Sequence, residues 1–173
     1  MLKELDFSRE ILKQELLAIL RKEASEVHIT DIMNFYLNLA AEGKYVQEHY
    51  KKEYLEAYVK GFILRIKELK DNKNYYEGSV DKNELKKALK LLSQQEKNIR
   101  EITGDRSFRV YTLISLYTTF ILNEPIHIVG TLFPGGFRVK YENKIYYCPV
   151  KEAQKDNPNA VCGFCIAEQD ASV

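Results

Sequence analysis

The sequence predicts a mainly α protein, a helical bundle of four to five helices that carries a small C-terminal β-hairpin module. Two observations lead to this fold class. Residues 1–124 contain no proline and repeat apolar residues at helical spacing, whereas all four prolines and all three cysteines lie within residues 125–173. We therefore expect residues 1–124 to form the bundle and residues 125–173 to form a module packed on it as one compact unit.

Two helices are expected in the first quarter of the chain. The first begins near Ser8, ends near Glu23 and places on one face Leu12, Leu16, Ile19 and Leu20. The second begins at Thr30 or Asp31, because either side chain can cap a helix, and ends at Gly43. Its apolar residues are Ile32, Phe35 and Leu39.

The third and fourth helices have the clearest patterns. The apolar residues of the third helix are separated by alternating steps of four and three, which is the spacing of a bundle seam. They are Leu55, Val59, Phe62, Ile66 and Leu69. The polar run at residues 71–74 is expected to end it. The fourth begins at Asp81, with Glu84 three positions later as in a capping box, and ends at Gly104. Its apolar face consists of Leu85, Ala88, Leu92 and Ile99.

Residues 107–122 combine features of helices and strands. The segment is rich in β-branched residues, which favour strands. It is, however, much longer than a typical strand of about 5–6 residues. Its apolar residues also share one helical face, which consists of Val110, Leu113, Leu116, Tyr117 and Phe120. We therefore predict a buried central helix.

The pattern changes after Pro125. Residues 126–133 are mostly apolar, and residues 134–136, with the sequence Pro-Gly-Gly, form a turn. Residues 137–141 then alternate apolar with charged side chains, which is typical of a half-exposed strand. After a tight turn at residues 142–143, residues 144–148 run back. We predict a β-hairpin, extended to a three-stranded meander if residues 126–133 join it.

Composition and charge exclude several classes of protein. A hydrophobic fraction of 45% and a charged fraction of 29% are typical of a globular chain. The formal net charge of +1 argues against a nucleic-acid binder. The longest near-apolar run, at residues 110–122, is shorter than the ~20 residues of a membrane-spanning helix, and the N-terminus does not resemble a signal peptide. We expect a cytoplasmic protein without a nucleic-acid or membrane partner.

The cysteines and one histidine predict a metal site. Cys148 ends a predicted strand, and Cys162 and Cys165 form a Cys-x-x-Cys pair that can hold one ion across a tight turn. His127, expected on the strand before the hairpin, is the natural fourth ligand. A structural zinc ion prefers four such ligands in a tetrahedron. The module is also small enough to benefit from a metal staple, which would make it a zinc knuckle.

Other interpretations of the cysteines stay open. Cys162-Gly163-Phe164-Cys165 resembles the motif of thiol oxidoreductases, although the chain that follows is too short for their βαβ fold. Buried thiols or a disulfide, and an iron–sulfur cluster, are further alternatives. With four protein ligands a zinc site would be closed and structural, whereas replacement of one ligand by water would make it catalytic. His28 and His49 are expected to be surface residues, and the lysines of the fourth helix a solvated face.

Three stretches of the module, residues 126–136, 147–151 and 162–169, carry a resemblance. Together they resemble an uncharacterised protein family of methanogenic archaea with a C-terminal His…Cys-Pro-Val-Lys…Cys-x-x-Cys pattern. The resemblance implies an archaeal cytoplasmic origin and groups His127 with the three cysteines, but it implies no activity. A proline often follows the histidine in that family, where this chain has Ile128.

These observations predict a zinc-stabilised, non-enzymatic binding or adaptor protein with an unknown protein partner. The alternative is a metalloenzyme, or a thiol or iron–sulfur redox protein, that uses the same cluster. A nucleic-acid accessory protein is the weakest of the candidates, because the net charge is almost neutral.

Overall fold

The computed structural model describes residues 5–42, 48–103, 108–133 and 135–173, and the protein is about 53% helical. This confirms the mainly α class. The described helices are α1 (Lys13–Ser25), α2 (Ile29–Glu42), α3 (Glu48–Asp71), α4 (Lys82–Thr103), α5 (Phe108–Leu116, continued as a π-helix over Tyr117–Leu122) and α6 (Lys151–Gln154). The strands are β1 (Ile11–Leu12), β2 (Ser79–Val80), β3 (Lys140–Glu142), β4 (Ile145–Cys148) and β5 (Glu168–Gln169).

The first two helices begin at residues other than those expected. Helix α1 starts at Lys13 rather than near Ser8, because Ile11 and Leu12 pair with β2 as a short antiparallel strand. Leu12 is consequently 48% exposed and does not belong to the buried face of α1. Helix α2 starts at Ile29, and the Asp31 carboxylate accepts the backbone N–H of His28 in its first turn. The predicted end at Gly43 lies outside the described residues.

The expectations for α3 and α4 are confirmed in the described residues. The apolar seam of α3 faces the core, with Leu55, Phe62, Ile66 and Leu69 buried and Val59 partly buried. Asp81 caps α4, because its Oδ1 accepts the backbone N–H groups of Asn83 and Glu84 at 2.8 and 3.0 Å. The side chain of Ile99 and the predicted end at Gly104 lie outside the described part of α4.

Residues 108–122 form the predicted buried helix, whose final part widens into a π-helix that ends at Asn123 in a left-handed conformation. A stack of three aromatic rings and the hydrogen bonds of the Tyr117 hydroxyl group stabilise the centre of the bundle. Phe62 of α3 stacks between Phe35 and Tyr111, with ring centroids 5.1 and 5.8 Å away. The fully buried Tyr117 accepts a hydrogen bond from Asn72 at 2.6 Å and donates one to Glu68 at 3.1 Å.

The predicted hairpin exists, but the third strand of its sheet comes from another part of the chain. Strands β3 and β4 are antiparallel and turn at Asn143 and Lys144, both of which have positive φ. The expectation that residues 126–133 form the adjoining strand holds only at the end of the segment. Residues 126–129 consist mainly of bends and turns, whereas residues 130–133 pair with residues 137–139 through backbone hydrogen bonds and the isolated bridge between Leu132 and Arg138. Strand β5 pairs with β4 in parallel. The zinc-knuckle character of the module and its boundary at residue 125 stay predictions.

Contacts between the bundle and the C-terminal segment involve several elements. Arg138 donates to Glu53 of α3 at 2.6 Å. The ring of Phe120 stacks on that of Phe164, with centroids 6.3 Å apart. A second, smaller cluster of buried residues lies within the module and contains Phe133, Val139, Cys148 and Ala167. In the described part of the chain no helix is long and apolar enough to cross a membrane.

Candidate metal centre

Cys148 is the last residue of β4, and the residues after it orient hydrogen-bond donors toward its sulfur. Pro149 has no N–H and a fixed φ, so the chain turns immediately after the strand. The backbone N–H groups of Val150 and Lys151 act as donors toward the Cys148 sulfur and lower its pKa. Burial has the larger, opposite effect, so the pKa of the thiol is raised overall. Hydrogen bonds to a sulfur are typical of thiolates that bind a metal.

Cys162 and Cys165 lie on a tight turn, as the sequence predicts. The backbone N–H of Cys165 donates to the carbonyl oxygens of Val161 and Cys162 at 3.2 and 3.3 Å. Gly163 is needed at this turn because a Cβ there would lie 3.0 Å from the carbonyl oxygen of Lys155. The glycine therefore permits a close approach between the turn and the segment that follows α6.

The three cysteines are free thiols, and Cys165 packs against the buried cluster that contains Cys148. Strand β5 follows Cys165 by a few residues and pairs with β4, so that the N–H of Asp170 donates to the Cys148 carbonyl at 3.1 Å. Burial, with the nearby charges of Cys165 and Cys148, raises the pKa of Cys162 to about 11. The thiols are thus close enough to influence one another electrostatically, and two of them are buried.

His127 lies in a bend rather than on the strand that we expected, because the part of this segment that pairs with residues 137–139 begins only at Gly130. Ile128 packs so closely on Gly61 that a side chain there would meet its Cδ1 at 3.3 Å. The His127 ring contacts Phe133 edge-on, with centroids 5.2 Å apart, and Phe133 packs in the same cluster as Cys148. Burial lowers the pKa of His127 to about 4, so the imidazole is neutral at pH 7 and able to act as a ligand.

Within residues 5–42, 48–103, 108–133 and 135–173, no three or more His, Cys, Asp or Glu side chains are already arranged to hold a metal ion. The fold brings the three predicted cysteine ligands into mutual electrostatic contact. It places His127 beside Phe133, at the edge of the cluster that contains Cys148.

Two residues that support the cysteines were missed by the sequence reasoning. Lys151 donates from Nζ to the carbonyl oxygens of Cys162 and Cys165. Gln95 donates from Nε2 to the carbonyl oxygens of Pro158 and Ala160 at 2.7 and 3.1 Å, in the segment leading to Cys162. Gln95 could have been found, because it continues the apolar spacing of α4 three positions after Leu92 yet is polar.

Replacement of Gln95 by methionine is expected to lower the free energy of unfolding by about 1–3 kcal/mol, because two carbonyl oxygens lose their donor. Gln95 is only 3% exposed, so water cannot readily replace the amide. Denaturant unfolding of the Gln95→Met protein measures the effect. The neighbouring Gln94 is exposed, and Gln94→Met is the matched control that should leave stability unchanged. Equal stability of both variants would contradict the assigned role.

The remaining sequence candidates lie on the surface where they are described. His28 is exposed, as predicted, whereas the side chain of His49 lies outside the described residues. The lysines of α4 that are described are also mainly exposed. Lys87 pairs with Glu84 at 2.7 Å, and the Lys86 ammonium lies over the ring of Phe7.

The fold and the cysteines define a class: a mainly α protein whose small C-terminal sheet carries the free thiol of Cys148, with two more free thiols on the turn that precedes β5. The family model described as an uncharacterized protein conserved in archaea (DUF2115) matches residues 12–170. The chain belongs to this family.

Similar proteins from methanogens are described as UPF0305 proteins. One from Methanothermobacter thermautotrophicus is 40% identical over 162 residues, covering 93% of this chain and 98% of the relative. A second protein of that organism is 35% identical, covering 89% of this chain and 94% of the relative. One from Methanocaldococcus jannaschii is 29% identical, covering 90% and 94%. No solved structure matches the chain.

Proposed function

We propose that this protein is a zinc-stabilised, non-enzymatic binding or adaptor protein. Cys148, Cys162 and Cys165 would hold the zinc ion, with His127 as the fourth ligand. The observation that carries the proposal is the packing of the two cysteine-bearing segments. Cys165 packs on the buried cluster that contains Cys148, and Lys151, three residues after Cys148, donates to the carbonyl oxygens of Cys162 and Cys165.

The electrostatics of the thiols support a metal site. Burial and mutual repulsion disfavour the thiolate forms of Cys148 and Cys162, and both effects reverse when a divalent cation lies between them. Zinc would displace the thiol protons and draw the sulfurs to about 2.3 Å from the ion. Neutral His127 needs no deprotonation to become a ligand.

The same electrostatics make the thiol redox alternative less favourable. The reactive cysteine of a thiol oxidoreductase has a lowered pKa and an accessible sulfur. Cys162 instead has a pKa raised to about 11 and is only 9% exposed. A thiol of this kind is protonated and poorly reactive at pH 7. A closed structural site therefore accounts better for the cysteines than a redox pair.

The surface of α2 supports a role in binding a partner. Four large apolar side chains, spaced to lie along one side of this helix, are 44–68% exposed: Ile29, Met33, Tyr36 and Leu37. Contiguous exposed apolar side chains on a globular protein mark interaction surfaces. The opposite side of the helix packs on the core through Ile32 and Phe35.

The proposal is tested by elemental analysis of protein purified anaerobically without chelators or added metal. We expect about one zinc ion per chain, the stoichiometry of a single tetrahedral site. Iron with inorganic sulfide would overturn the zinc assignment in favour of an iron–sulfur protein. Absence of any metal would overturn it in favour of the thiol redox alternative.

A further inference from the structure

Lys151 connects the two parts of the chain that carry the cysteines. It is the first residue of α6, three positions after Cys148. Its Nζ donates to the carbonyl oxygen of Cys162 at 2.5 Å and to that of Cys165 at 2.7 Å. One half-buried side chain thus reaches from the end of β4 to both ends of the Cys-x-x-Cys turn.

The ammonium group also places a positive charge at hydrogen-bond distance from the backbone of Cys162 and Cys165. A zinc ion bound by three thiolates and a neutral histidine carries one net negative charge, because three negative charges exceed the two of the metal. Burying a net charge is costly unless an opposite charge lies close by. Lys151 supplies that charge.

We infer that Lys151 is the positioning residue of the metal centre, holding the Cys162–Cys165 turn against Cys148 and balancing the negative charge of the zinc–thiolate complex. This inference rests on the proposed function and adds a named residue outside the ligand set. Residues that orient or balance metal ligands typically change metal affinity by about 10–100-fold when they are replaced.

Lys155 offers a matched control on the same segment. Its Nζ pairs with Glu152 at 2.5 Å, and its side chain is 44% exposed. It is therefore a lysine of the same length and charge, four positions later, whose ion pair lies at the surface. A general effect of net charge would be the same for both residues, whereas a positioning role is confined to Lys151.

The experiment compares Lys151→Met, Lys151→Arg and Lys155→Met with the wild-type protein. Zinc affinity is measured by competition with a chromophoric chelator, and the charge-transfer absorption of the Co²⁺-loaded proteins reports how many thiolates bind the metal. We expect the Lys151→Met protein to bind zinc about 10–100-fold more weakly and to show weaker thiolate absorption per cobalt. Lys151→Arg should recover most of the affinity, and Lys155→Met should match the wild type.

Several outcomes would overturn the inference. Equal affinity and equal cobalt spectra for Lys151→Met and the wild type would do so. A Lys151→Arg protein that binds zinc about 10–100-fold more weakly than the wild type would also exclude the role in charge balance. This affinity can be measured even if the Lys151→Met protein fails to fold. Failure of the wild-type protein to bind zinc is a different result, because it overturns the proposed function itself.

Discussion

A Cys162→Ser protein is expected to bind its metal more weakly and to lose about 3 kcal/mol of its free energy of unfolding. Structural zinc sites contribute an apparent ~10–16 kcal/mol in small peptides, and one of four ligands accounts for roughly a quarter of that. Cys162 is 9% exposed and lies in the turn held by Lys151. Water therefore cannot take the place of the lost thiolate ligand unless the turn opens. Denaturant unfolding and elemental analysis of the same preparations measure both effects.

The control for this prediction is the metal-free state. Wild type and Cys162→Ser should differ in stability when they are purified with their metal, and the difference should almost disappear after removal of zinc with a chelator. A serine variant that keeps both its stability and its zinc content would contradict the metal hypothesis. A stability difference of the same size in the metal-free proteins would assign Cys162 to ordinary core packing.

Replacement of Phe62 by alanine is expected to lower the free energy of unfolding by about 3–5 kcal/mol, the usual cost of removing a buried aromatic ring. Phe62 is 3% exposed and stacks with Phe35 of α2 and Tyr111 of α5, so its loss leaves a cavity where three helices meet. Thermal or denaturant unfolding of the Phe62→Ala protein measures the loss.

The next residue of the same helix provides the comparison. Ile63 is 42% exposed, and Ile63→Ala also removes a large apolar side chain from α3. A change at a surface position is usually within about 0.5 kcal/mol. Similar losses for the two variants would mean that the stack of three rings does not dominate the centre of the bundle.

The helices could be predicted from the sequence because their signals are local. The seam of α3 and the Asp81 cap of α4 depend on residues at most a few positions apart, and both agree with the structure. The start of α1 could not be predicted, because Ile11 belongs to a strand that forms with Val80, distant in the chain. A local pattern does not distinguish an apolar residue of a helix from one of an adjoining short strand.

The candidate site shows the same difference between features that depend on local sequence and features that depend on contacts distant in the chain. Cysteine spacing alone grouped Cys148 with Cys162 and Cys165, and in the fold Cys165 packs on the cluster that contains Cys148. The same reasoning placed His127 on a strand, and it gave Lys151 no role. Both residues depend on long-range packing: His127 on the contact of Ile128 with Gly61, and Lys151 on carbonyl groups beyond the end of α6.

The sequence by itself determined the mainly α class, the order of the long helices and the hairpin, whereas the residues of the candidate metal site stay a prediction. These features follow from periodicity, capping and residue chemistry, each of which depends only on residues close together in the chain. Only the tertiary structure decided that β5 completes the sheet beside β4 and that Lys151 links the cysteine segments. Such contacts join residues distant in the chain, and their partners are selected by the packing of the whole molecule.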